Sequence, residues 1–113
     1  MPDSDGYPTR AELRRVRTWN LMASTDPSDM RFEFGAFMYY VKACWWQSES
    51  GWMIRKRRLR TAGGRLVRRF EISTGGWSGN EDLIRAMMAN NSFWMIAWQQ
   101  SSRGGHYVFD VPA

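Results

Sequence analysis

The stretch Arg65-Leu66-Val67-Arg68-Arg69-Phe70-Glu71-Ile72-Ser73-Thr74-Gly75-Gly76-Trp77-Ser78-Gly79-Asn80-Glu81-Asp82 changes its period part-way along. From Arg65 to Ser73 it reads as a strand, with Leu66, Phe70 and Ile72 on one face and Arg68 intruding there. Thr74 to Gly79 is rich in glycine, and a helix is expected to begin near Asn80. Ser78 and Glu81 have capping-box spacing, Asp82 adds favourable charge at the helix start, and Leu83, Ile84, Met87 and Met88 supply an apolar face. Asn90-Asn91 ends it. A strand that turns directly into a helix places both element types in one small fold.

Working backward, Trp52 to Arg60 reads as a partner strand, joined through Thr61-Ala62-Gly63-Gly64, whose glycines supply the positive φ of a tight hairpin. Working forward, Phe93 to Gln100 reads as a buried strand. Ser101 to Gly105 is a turn, and His106 to Val111 is a closing strand with Tyr107, Phe109 and Val111 on one face. In the N-terminal half, Thr9 and Glu12 form a capping box for a helix running to about Met22, with Leu13, Val16 and Trp19 along its stripe. Ser24 to Asp29 is expected as a loop. Phe32 to Trp46 is expected as a helix, because Phe34, Phe37, Tyr40/Val41 and Cys44 recur at helical spacing, and Ser48 to Gly51 breaks it. The expectation is an α+β fold: an antiparallel four-stranded sheet of two hairpins with helices packed on one face. The 113 residues fit a single domain, 1–113, with a helical half at about 9–46 and a hairpin–helix–hairpin at about 52–112.

Composition narrows the function classes. One Cys, Cys44, excludes an internal disulfide and a Cys-based zinc cluster, and one His, His106, excludes a His cluster for a metal. No cofactor is expected. Glu81 and Asp82 point about 100° apart on a helix, so they make no acid/base pair, and the chain reads as a binding protein rather than an enzyme. The acidic N-terminal residues are unlike a secretory signal, and the apolar stretch from Gly35 to Trp46 is too short for a bilayer. A cytoplasmic, non-membrane protein is expected, with room for a homo-oligomer. Residues 1–50 carry six Lys/Arg and seven Asp/Glu, whereas residues 51–113 carry ten and four. Eight of the sixteen basic residues lie between Arg55 and Arg69.

Three features are candidates for recognition. The junction Thr74, Gly75, Gly76, Trp77, Ser78 and Asn80 points backbone N–H groups and a helix N-terminus outward, which favours an anion. It lacks the Lys-Ser/Thr of a Walker motif, and it is equally compatible with an ordinary glycine turn. The turn bearing Arg103 and His106 could pair with a phosphate beside it, with Trp77 stacking on a ring. The basic run Arg55, Lys56, Arg57, Arg58 and Arg60, continued by Arg68 and Arg69, could track a phosphate backbone. Strand alternation prevents it from forming one flat patch. A solvated edge hairpin, protected from strand addition by charge, or docking on an acidic protein surface are the other readings of it.

The motifs Ser73-Thr74-Gly75-Gly76-Trp77-Ser78-Gly79-Asn80-Glu81-Asp82 and Ser102-Arg103-Gly104-Gly105-His106-Tyr107, with Phe93-Trp94 and Trp98 between them, resemble those of small uncharacterised proteins encoded by bacteriophages and prophages. The resemblance covers roughly the C-terminal 45 residues. It implies a host-takeover or anti-defence factor. The partner would then be a nucleotide signal, a nucleic acid, or, as in CRISPR inhibitors, a host defence protein complex.

Overall fold

The structure is a computed structural model that describes residues 6–24, 26–54 and 58–113, apart from the side chain of Glu49. The fold is α+β. Helix α1 (Arg10–Thr18) starts on the expected capping box: Glu12 N–H donates to Thr9 Oγ1 at 3.1 Å and Thr9 N–H donates to Glu12 Oε1 at 2.8 Å. It ends at Thr18 rather than near Met22, and Leu21 tucks into the core beyond it. Helix α2 (Pro27–Cys44) begins earlier than expected. Asp26 caps it through Ser28 N–H, and Pro27 occupies a first-turn position where its missing N–H costs nothing. Phe34, Phe37, Val41 and Cys44 form the buried stripe of this helix. A one-turn helix, α3 (Ser48–Gly51), leads into the sheet.

The expected first strand divides into β1 (Trp52–Ile54) and β2 (Leu59–Arg60), with Arg55, Lys56 and Arg57 outside the described residues. Both pair antiparallel with β3 (Leu66–Ser73). Helix α4 spans Ser78–Ala89. It starts two residues before the expected Asn80, with Trp77 as its cap residue, so Ser78 lies inside the helix and makes no side-chain cap.

The expected strand from Phe93 is in fact helix α5 (Asn91–Ala97), followed by β4 (Trp98–Ser102) and β5 (His106–Pro112). Asn90 explains the difference. Its Oδ1 accepts from Phe93 N–H and caps α5, while its Nδ2 donates to the Val16 and Trp19 carbonyls at the end of α1. Phe93 and Ala97, one turn apart, are then both buried.

Among the described residues the sheet has five strands, not four, in the order β1-β3-β5-β4, with β2 also paired to β3. The two hairpins are joined by β3 and β5, in register from Val67↔Pro112 to Ser73↔His106. That register puts Phe70, Ile72, Phe109 and Val111 on one face, against α2 and α5. Phe37, Phe93 and Phe109 interlock there, with ring centroids 4.6 and 5.3 Å apart. Burying such a side chain stabilises by about 1.5–3 kcal/mol. The opposite face carries Arg69, Glu71, Ser73, His106, Val108 and Asp110.

Cys44 is a core residue whose Sγ donates to Glu12 Oε2 at 3.4 Å. Burial, and next the bond to the Glu12 carboxylate, push its thiol up to about 11. At pH 8 only about one thiol in a thousand is then ionised. Native protein is expected to react with a disulfide reagent such as DTNB only at the rate at which it opens, and unfolded protein at the rate of a free thiol. Stopped-flow labelling in and out of denaturant checks this, and fast labelling of the native state would contradict it.

Candidate functional site

The two glycine motifs meet. Thr74 N–H donates to the Gly105 carbonyl at 3.0 Å, continuing the β3–β5 ladder past Ser73↔His106. Gly105 has φ of +77°, and a Cβ there would lie 2.2 Å from Thr74 Oγ1, so only glycine permits this approach. Beside it, the Ser73 hydroxyl and His106 Nδ1 share a short hydrogen bond.

Most of the junction's side chains are engaged internally. Thr74 is buried, and its Oγ1 accepts from Gly76 N–H. Asn80 is 2 % exposed; its Oδ1 accepts from Trp46 N–H, and its Nδ2 donates to the carbonyls of Trp46 and Thr74. Trp77 donates from its indole to the Gly6 carbonyl at 2.9 Å, stacks on Trp46 with centroids 5.6 Å apart, and also contacts Tyr7. Its ring is therefore a part of the framework. Thr74, Gly75, Trp77 and Asn80, with Trp46 and Gln47, line a cleft of about 230 Å³ that has no charged side chain in its walls among the described residues. Arg103 is exposed and is not among the residues lining that cleft; Gly75, Gly76, Ser78 and His106 are also exposed.

The basic run separates just as strongly. Arg68 shares a face with Phe70, whereas Arg69 lies on the other side and pairs with buried Asp110 at 2.7 and 2.8 Å. That hydrogen bond raises the guanidinium pKa, and it commits Arg69 to the fold. Arg60 donates to the Gly64 carbonyl, and Arg65 to that of Ile96. Arg58 and Arg68 remain without a carboxylate partner among the described residues.

Those two side chains meet Arg31 of α2 around a groove of about 550 Å³. Its apolar lining is Leu66, Phe70, Val111 and Pro112, and Phe32, 72 % exposed, stands beside it. No Asp or Glu side chain lines it among the described residues. No protein-family model, curated protein or solved structure matches the chain.

Arg31, Phe32 and Gly35 were not among the residues singled out from the sequence. Their signal is nevertheless present. Gly35 sits in the interior of an 18-residue helix, where glycine destabilises by about 1 kcal/mol relative to alanine. A Cβ built on it meets nothing within 4 Å, and its φ is not in the left-handed region. Neither packing nor backbone geometry calls for a glycine at this position. Among the described residues no three His, Cys, Asp or Glu side chains gather as a metal site, and no helix is long and apolar enough to cross a membrane.

Proposed function

We propose that this chain is a non-enzymatic binding protein for a phosphate-bearing ligand, a nucleotide or a segment of nucleic acid, held at the groove rimmed by Arg31, Arg58 and Arg68. The observation that carries the reading is a groove in which three arginines and the apolar residues Leu66, Phe70, Val111 and Pro112 share one lining, with no acidic side chain in it among the described residues. Arginine forks match phosphate oxygens, and Arg31 and Arg58 are exposed to meet them. In this reading Thr74, Trp77 and Asn80 hold the framework together, and Arg103 with the exposed backbone at Gly75–Gly76 offers a secondary anionic contact. The resemblance to phage-encoded proteins adds a setting, host takeover or anti-defence, in which sequestering such a ligand is useful. Docking on an acidic protein surface is a second reading. It is favoured by exposed Phe32 and Tyr39, two turns apart on α2.

Fluorescence anisotropy against labelled oligonucleotides over a range of salt tests the proposal. Arg58→Glu with Arg68→Glu is expected to weaken binding by at least about tenfold and to flatten the salt dependence by about two phosphate contacts. Arg10→Glu with Arg17→Glu, which changes net charge equally on α1, is expected to leave affinity within about threefold. Equal losses in both pairs would reduce the effect to net charge and remove the groove from the account.

A further inference from the structure

Resting on that reading, we infer that the groove is a slot for an unpaired base, so that the preferred ligand is single-stranded nucleic acid. Gly35 lines the groove together with Phe32 and Arg31. Gly35 lies three residues from Phe32 and four from Arg31, so both neighbour it on the surface of α2. Since nothing in the fold needs glycine there, the consequence of the missing side chain is the space itself. Alanine would strengthen the helix, and any larger residue would project into the opening.

What the opening exposes is suited to a ring. The apolar lining comes from β3 and β5, and the exposed phenyl ring of Phe32 flanks it. A volume of about 550 Å³ falls in the range of sites that enclose a small organic ligand. A base in a duplex has its π-faces covered by its neighbours and offers only its edges and backbone. An unpaired base can leave the stack and lie against an aromatic side chain, while flanking phosphates meet arginine. Arginines around an apolar, aromatic slot reproduce that pairing of contacts. A duplex would engage the arginines alone and gain nothing from the slot. An acidic peptide would also find the arginines, and the test below separates it.

The full chain is titrated with a labelled oligodeoxythymidine, the same strand with abasic sites replacing its bases, the strand annealed to its complement, and a poly-glutamate peptide of equal charge. Each is measured with wild type, Gly35→Leu, Gly35→Ala and Phe32→Ala, and thermal unfolding is followed in parallel. Expected results are about tenfold tighter binding of the intact single strand than of the abasic or duplex probes. Gly35→Leu should abolish that preference without lowering the unfolding temperature, and Phe32→Ala should reduce it by about fivefold or more. Gly35→Ala, a smaller intrusion, should keep most of the affinity and unfold later. Equal binding of abasic, duplex and intact strands, unaffected by Gly35→Leu, would overturn the slot while leaving the phosphate-binding proposal standing. No binding of any nucleic acid would overturn the slot and restrict the phosphate-binding proposal to a free nucleotide, and tighter binding of the peptide would overturn both.

Discussion

Asn80→Ala is expected to destabilise the protein by about 3 kcal/mol, without touching any residue of the arginine groove. The side chain is almost completely buried and forms three hydrogen bonds. Truncation leaves the Trp46 amide and carbonyl without this partner, and the Thr74 carbonyl with only its bond from Trp77 N–H. An orphaned buried polar group costs about 1–3 kcal/mol. Trp46 is half-buried, so water recovers part of the loss, which sets the total below the simple sum. Asn80→Asp is a sharper form of the test. It keeps the acceptor facing Trp46 N–H but turns an oxygen toward two carbonyls, and it should destabilise at least as much as alanine. Urea unfolding with an unchanged m-value measures both. A loss below about 1 kcal/mol for either would mean that the junction is not clamped as described.

Gly105→Ala is expected to have a comparable effect, again about 3 kcal/mol, for a different reason. A left-handed conformation costs a non-glycine residue about 1–2 kcal/mol. The added methyl would also lie 2.2 Å from Thr74 Oγ1, a contact no real Cβ makes, so something must shift. The two parts are separable. Thr74→Ala removes the hydroxyl, so the double variant should retain the backbone strain and lose the clash, with a coupling of at least about 1 kcal/mol in a double-mutant cycle. Additive losses would show that the two motifs do not press on one another.

These two predictions mark what the sequence made legible. Meeting of the glycine-bearing bends followed from local signals, a hairpin turn and a strand–helix junction, once the strands were paired. The Thr9–Glu12 box was equally local, and α1 starts on it. Other features depended on distant partners. Trp77 looked available for stacking because its neighbours in sequence are small, yet its hydrogen-bond acceptor is Gly6, and its ring contacts are Trp46 and Tyr7. Phe93 to Gln100 reads from the sequence as a buried strand. The helix there is set by a cap at Asn90, whose remaining bonds reach α1. Arg68 and Arg69 were adjacent letters of one basic run, and only the pairing register separated a groove residue from one committed to Asp110. The groove itself joins α2 to β3 and β5, so its arginines could not be grouped before the chain was folded.

Asn90 carries a consequence for how the molecule breathes. A single amide side chain holds carbonyls at the end of one helix and a free N–H in the first turn of another, while its own backbone closes a third. Fraying at any of those ends withdraws a bond from the other two. Amide protons of α1, the C-terminal turn of α4 and the start of α5 should therefore exchange with deuterium at one shared free energy, as a single cooperative block rather than as three independent termini.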